Sequence, residues 1–396
     1  MRESIPVAVV GCGHLGTFHA RLYAQLPEAQ LVAVVDTHVE RAQALAREVG
    51  VEASTDLAAI LPRVRAVSIA TPTTTHHDIA WQCLDAGVAC LVEKPICESA
   101  PQGRALVDHA RNLGLALAVG HTERFNPAFA AARAELGRPR FIESHRLAPF
   151  VARSLDVDVV LDLMIHDIDL TLCLQPAAIE SVDAVGVPVL TPGADIANAR
   201  IRFADGAVAN LTASRVSRDK VRKIRFFGPR QYHSIDLMSG SVERAMLREL
   251  ENGGITRVLS SGGPGLRAAS SNAPSSAAPS SNAPSSAAPS SNVPASSARQ
   301  SGAPALPAPA SVEAAALDAY LAARHLRLDY GGLPVTPGNA LLEELRDFLG
   351  AVRGGVEMRG ADGEAGLRNL ELAQRIRAEV ARSLDRLGVV PPAPLK

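Results

Sequence analysis

Gly11, Gly13 and Gly16 stand in the spacing G-x-G-x-x-G, within Gly11-Cys12-Gly13-His14-Leu15-Gly16. That spacing suits phosphate chemistry. The first glycine permits a tight turn, the second lets backbone approach a pyrophosphate, and the third lets a helix pack close to a strand. The free N–H groups and dipole of the helix that follows favour the anion. Asp36 lies twenty positions past Gly16, the offset of a carboxylate that bonds ribose hydroxyls. A carboxylate there repels a 2′-phosphate, so the expected cofactor is NAD rather than NADP. The candidate cofactor contacts are Gly11, Gly13, His14, Leu15, Gly16 and Asp36.

Two further groups carry titratable chemistry. Glu93-Lys94-Pro95 and Thr71-Pro72 each close an apolar run. Ligands of open α/β sheets bind beyond the carboxyl ends of the strands, so Lys94 is expected to project toward the cofactor. Desolvation there lowers a lysine pKa toward use in proton transfer or substrate hydrogen bonding. Downstream, Asp162 and His166 are spaced i, i+4 and share a helix face, which Asp169 joins at i+7. An imidazole is a suitable base for a secondary alcohol, and a carboxylate beside it would hold its orientation. The same trio offers metal ligands, but no second histidine cluster or cysteine supports them, so no metal is expected. His145, Arg146 and Arg153 precede this helix and offer cations to a diphosphate, a use that competes with plain surface solvation.

The elements that must position these residues are legible from periodicity. Nearly continuous apolar runs at 5–10, 31–35, 66–70, 89–92 and 115–119 read as buried parallel strands. Helical stretches at 17–25, 39–49, 76–85 and 100–112 alternate with them, which predicts a doubly wound Rossmann sheet. After Gly120 the pattern changes. A helix over 158–174 precedes strands at 179–187, 197–203, 208–214, 223–227 and 231–237, with a hairpin turn at Ala204-Asp205-Gly206. The predicted class is an α/β Rossmann domain plus a C-terminal α+β domain with a mostly antiparallel open sheet. Expected boundaries are 1–120 for the first domain, 121–259 for the substrate and oligomerisation domain, and 312–396 for its remainder, including helices at 340–352 and 364–387.

Between them, residues 260–311 contain the decapeptide Ala-Pro-Ser-Ser-Ala-Ala-Pro-Ser-Ser-Asn twice without change, from 273 and from 283. With no large apolar side chain to bury, such a repeat cannot offset its ordering entropy and is expected to be disordered. A loop expansion is the simplest reading, because long insertions cost little stability; a tether or partner-binding arm is the other.

Composition narrows the function classes. The 396 residues carry 40 Lys and Arg against 41 Asp and Glu, a formal net charge of −1, so nucleic acid and anionic membranes are poor candidate partners. Five cysteines, with no C-x-x-C pair, argue against a disulfide framework or a structural zinc site. No leader segment or run of roughly 18 uncharged apolar residues is visible, and a cytoplasmic protein is expected.

Taken in order, the glycine motif, Thr71-Pro72 with His76, Glu93-Lys94-Pro95, Asp162 with His166, and the late Ala361-Asp362-Gly363 resemble the Gfo/Idh/MocA oxidoreductases. The resemblance covers nearly the whole chain outside 260–311. Thr73 departs from it, since many members carry Asn after Thr-Pro. The resemblance implies cofactor contacts from Thr71, Pro72, His76 and Glu93, proton transfer by Lys94 and His166, and an orienting or substrate role for Asp162. The stretches 120–127 and 163–170 are similar to the branch that includes UDP-N-acetylglucosamine 3-dehydrogenases. That similarity implies a sugar or UDP-sugar substrate and functional pairing with an aminotransferase; the expected substrate contacts are Arg124, Arg146, Arg153 and Asp169, and the open sheet face of the second domain suits a homo-oligomer. A free-sugar or inositol dehydrogenase shares every motif, and a non-catalytic NAD-binding regulator shares the fold.

Overall fold

The computed structural model describes residues 4–150, 158–250, 256–257, 312–354 and 357–388. Residues 260–311 and Arg153 lie outside them. Strands β1 (Ile5–Val10), β2 (Ala29–Val35), β3 (Glu52–Ser54), β4 (Ala66–Ile69), β5 (Ala89–Glu93) and β6 (Leu117–Gly120) form one parallel sheet in the order β6-β5-β4-β1-β2-β3. The order reverses between β1 and β4, the place where such sheets open a crevice for ligands. Strands β1, β4 and β5 are apolar almost throughout because helices cover both faces.

Those helices are α1 (His14–Tyr23), α2 (Val39–Val49), α3 (Leu57–Ile60), α4 (His76–Asp85) and α5 (Ala100–Leu113). Helix α5 starts on a reciprocal cap, in which Ser99 Oγ accepts from Gln102 N and the Gln102 side chain accepts from Ser99 N. It ends at Gly114, whose left-handed backbone closes the last turn.

The second sheet is built on β7 (Phe141–Leu147), β8 (Ile179–Val187), β9 (Ile196–Phe203), β10 (Val208–Ser214), β11 (Val221–Gly228), β12 (Gln231–Asp236) and β13 (Ser241–Leu250), in the order β13-β12-β11-β7-β10-β9-β8. Only β7 and β10 among these neighbours run parallel. One face packs Ile142, Ala199, Ile201, Phe203, Leu211, Ile224 and Phe226 against α6 (Pro127–Arg133) and α7 (Ile165–Leu174).

The segment read as a single helix over 158–174 is two pieces. Asp158 caps the start, accepting from Val160 N and Leu161 N, a π-helical turn follows over Val160–Met164, and α7 continues from Ile165. The wider turn changes the phase of the helix, so the i, i+4, i+7 face drawn from the sequence does not hold together. Asp169 is bonded to Arg124.

A second unit includes the described residues 248–250, 256–257 and 312–327. Within it, 249–250 pair with β14 (Thr256–Arg257), and α8 covers Val312–Ala322. The chain then enters β15 (Leu326–Gly332), α9 (Ala340–Arg353), β16 (Ala361–Asp362) and α10 (Gly363–Leu387). Strand β16 adds an antiparallel edge to β6. Helix α10 serves both sheets: Leu367 and Leu370 join the core of the first, while Leu372, Ala373, Ile376 and Val380 join that of the second. No helix among the described residues is long and apolar enough to cross a membrane.

Candidate active site

The carboxyl ends of β1, β2, β4, β5 and β6 bring Gly11, Asp36, Thr71, Lys94 and His121 to one edge of the first sheet. At Gly11 φ is +94°, and an added Cβ would lie 2.4 Å from the Ala70 carbonyl oxygen. At Gly16 an added Cβ would meet Gly11 O at 1.7 Å, so α1 reaches the strand only without a side chain there. Gly13 faces open space. No side chain caps α1, so its first N–H groups are available to an anion. His14 and Leu15, both exposed, flank this opening.

Asp36 holds the loop. Its Oδ2 accepts from Cys12 N at 2.7 Å and its Oδ1 from His38 N at 2.8 Å, which leaves each oxygen a further lone pair for a ribose hydroxyl. Burial, with Asp36 close by, pushes the Cys12 thiol up to about 12, so the loop cysteine stays a neutral thiol. These residues fit an NAD pyrophosphate and ribose. Asp36→Asn is therefore expected to raise KM for NAD⁺ about 10–100-fold, because charged hydrogen bonds are lost, and to narrow the gap to NADP⁺. Initial rates with both cofactors check this; an unchanged ratio of the two overturns it.

His76 and Glu93, expected among the cofactor contacts, are both buried and bonded within the protein. His76 is buried, with Nδ1 2.9 Å from Pro95 O and Nε2 2.9 Å from Thr71 O. It straps the turn after β4 to the turn after β5, where the Lys94–Pro95 bond is cis. Glu93 is also buried, accepting from His19 Nε2 at 3.0 Å and from Lys94 N at 3.3 Å. Burial works to raise its carboxyl, but His19 and Lys94 outweigh it and hold the group below the usual range. Both residues tie together the turns that follow the parallel strands.

Lys94 crosses to the second sheet. Its Nζ donates to the Asp162 carbonyl at 3.0 Å, within the π-helical turn. Burial lowers its pKa, against the pull of Asp162 and Glu93. His166 begins the α-helical part of the same segment. Burial and then the positive charges of Lys94, Arg146 and Arg222 press its pKa well below the ordinary value, and its Nδ1 is buried without a hydrogen-bond partner. Lys94 thus lies close to both the Asp162 carboxylate and His166. Among the described residues no group of His, Cys, Asp or Glu is arranged to hold a metal ion.

The expected substrate contacts Arg124, Arg146 and Asp169 are committed elsewhere. Arg124 forks onto Asp169 at 2.7–3.0 Å and also donates to Gly360 O. Arg146 forks onto Asp167 at 2.9 and 3.0 Å and reaches Glu123 at 3.0 Å. Each guanidinium is thus bonded to at least one buried carboxylate. Residues absent from the sequence reading complete the network. Asn369 donates to Asp169 at 2.7 Å and lies 3.1 Å from His121 Nε2, and Thr122 donates to Glu344 at 2.9 Å. Burial, aided by Glu93, drives the Glu344 carboxyl well above the usual range. Its partners lie more than 200 residues away in sequence, so only the fold discloses it.

These features recur in known proteins. Residues 5–121 match a family described as "Oxidoreductase family, NAD-binding Rossmann fold", and residues 130–232 match the GFO/IDH/MocA C-terminal domain. The UDP-N-acetylglucosamine 3-dehydrogenase of Acidithiobacillus ferrooxidans is 46% identical over 235 residues, 59% of this chain and 74% of that protein. The scyllo-inositol 2-dehydrogenase (NAD(+)) of Bacillus subtilis is 34% identical over 238 residues, 55% of this chain and 69% of that protein. Among solved structures, UDP-N-acetylglucosamine 3-dehydrogenase GnnA from Acidithiobacillus ferrooxidans aligns with a TM-score of 0.74 at 33% identity, covering 97% of this chain and 100% of that one.

Proposed function

The chain belongs to the Gfo/Idh/MocA family of NAD-binding oxidoreductases, and from that premise we propose that it oxidises the C3 hydroxyl of UDP-N-acetylglucosamine to a ketone. One observation carries the catalytic part: Lys94, from the first sheet, is bonded to the turn that presents His166 from the second. The likeness to a UDP-N-acetylglucosamine 3-dehydrogenase supports the choice of substrate.

NAD⁺, when bound, supplies the hydride acceptor. His166, held neutral by burial and by its cationic neighbours, takes the hydroxyl proton as the carbonyl forms. Lys94, anchored on the Asp162 carbonyl, donates a hydrogen bond to the same oxygen and stabilises its developing negative charge. Asp162, whose side chain has no hydrogen-bond partner among the described residues, orients a neighbouring sugar hydroxyl. Gathering these groups in one cleft removes much of the entropic barrier. An aminotransferase that converts the ketone to an amine would draw the equilibrium forward.

An inositol ring is the second reading, favoured by the similarity to scyllo-inositol 2-dehydrogenase. The two part on a simple assay: purified protein, NAD⁺ and a panel of UDP-sugars, free hexoses and inositols, followed by NADH absorbance. Formation of NADH with UDP-N-acetylglucosamine alone is expected. Turnover of inositol or hexose instead replaces the substrate, and no turnover by protein that binds NAD sinks the catalytic reading.

A further inference from the structure

We propose that Arg222, which no motif marks, recognises the diphosphate of the substrate; this deepens the nucleotide-sugar reading and rests on it. Arg222 sits one residue inside the start of β11, directly opposite Arg146 of β7. In β11 it shares a face with the fully buried Ile224 and Phe226, the face covered by the helix that carries His166. Like charges placed directly across a strand pair repel and need a reason to persist.

The two arginines are satisfied very differently. Arg146 has a fork onto Asp167 and a bond to Glu123, and its side chain is 3% exposed. Among the described residues Arg222 has a single polar contact, 3.4 Å to the Glu123 oxygen that Arg146 already holds at 3.0 Å, and its side chain is 38% exposed. A guanidinium carries five N–H donors in a fork that matches phosphate oxygens. Among the described residues most of those of Arg222 have no partner. Its charge is felt at His166, where it joins Lys94 and Arg146 in pressing the imidazole toward its neutral form. Arg218 and Lys220, exposed just before β11, add attraction for an anion at longer range. Of the expected diphosphate contacts, Arg146 is bound to Asp167 and Glu123, which leaves Arg222 beside it as the more open arginine among the described residues.

Two variants of the full chain, Arg222→Met and Arg222→Gln, test this, with NAD⁺ present throughout. Initial rates against UDP-N-acetylglucosamine and titration with UDP alone are measured beside melting temperature. KM and the UDP dissociation constant are both expected to rise about 10–100-fold, the loss of a charged hydrogen-bonding fork. A contact equal in ground and transition states is read in KM and UDP affinity, while any change in kcat reports the separate action of the Arg222 charge on His166. If the methionine variant is poorly folded, the glutamine variant, which keeps a polar stem end, decides. UDP affinity within twofold of wild type in a folded variant overturns the proposal, as does failure of UDP to bind the wild type. Wild-type UDP binding without turnover of UDP-N-acetylglucosamine would instead fault the assigned reaction, and loss of UDP affinity in the variants would still uphold Arg222.

Discussion

Replacing His166 with alanine is expected to lower kcat about 10²–10⁴-fold, the range for losing a positioned general base, with NAD binding and melting temperature near those of the wild type. The stability half follows from the site: His166 is only half-buried, and its Nδ1 makes no hydrogen bond that the substitution would break. The catalytic half follows from its charge state. A base works in its neutral form, and burial plus three cationic neighbours keep His166 neutral below its ordinary pKa of about 6.5. The acid limb of kcat/KM is therefore expected below pH 6.5. Lys94 gives the sign test. Its ammonium lowers the proton affinity of His166, so Lys94→Met, while losing activity, should move that limb upward toward 6.5 in what remains. Lys94 itself titrates below its usual 10.5 because it is buried, which sets an alkaline limb below that value if its ammonium is required. An acid limb unmoved by Lys94→Met would break the electrostatic link, and near-normal turnover in His166→Ala would remove His166 from the chemistry.

Why these residues were legible while others were not comes down to sequence distance and periodicity. Gly11, Gly13, Gly16 and Asp36 lie close together, and each answers a local demand: a positive φ, a close helix approach, a carboxylate at the next strand end. Lys94 and His166 stand at the ends of strongly patterned elements. Strand β7 escaped the reading because its buried positions are Ile142, Ser144 and Arg146, the reverse of an apolar inner face. Arg146 is buried there only because Asp167 and Glu123, twenty-one and twenty-three residues away, neutralise it. Arg222 had a faint signal: it continues the inward face that Ile224 and Phe226 define, a charged residue where alternation calls for an apolar one. The π-helical turn at Val160–Met164 left no signal, since its apolar residues suit an α-helix equally well.

Asp169→Asn is expected to destabilise the fold by about 3–5 kcal/mol, the cost of leaving one member of a buried ion pair uncompensated. The pair is the fork of Arg124 on Asp169, whose carboxylate is 1% exposed. Its effect is wide because of what it joins. Arg124 follows the last parallel strand of the first sheet and also holds Gly360, ahead of the edge strand; Asp169 belongs to the helix of the second sheet; Asn369 reaches both Asp169 and His121 from the middle of α10, which serves both cores. Asparagine preserves shape, so the experiment removes charge without opening a cavity. Burial alone would raise the Asp169 carboxyl, yet His121 and Arg124 keep it below its ordinary value. A depressed carboxylate contributes stability that is present above its unfolded pKa and is lost as pH falls through the folded one. The gap between wild type and variant in urea unfolding should therefore be full at neutral pH and shrink below about pH 4. Pairing Asp169→Leu with Arg124→Met should recover part of the loss, because two buried charges then leave together. Recovery stops short, since the Gly360 carbonyl and the Asn369 amide still lose their partners. A gap that is small or independent of pH would mean the pair is dispensable to the union of the two sheets, and the Asn369 and α10 contacts would then have to carry it.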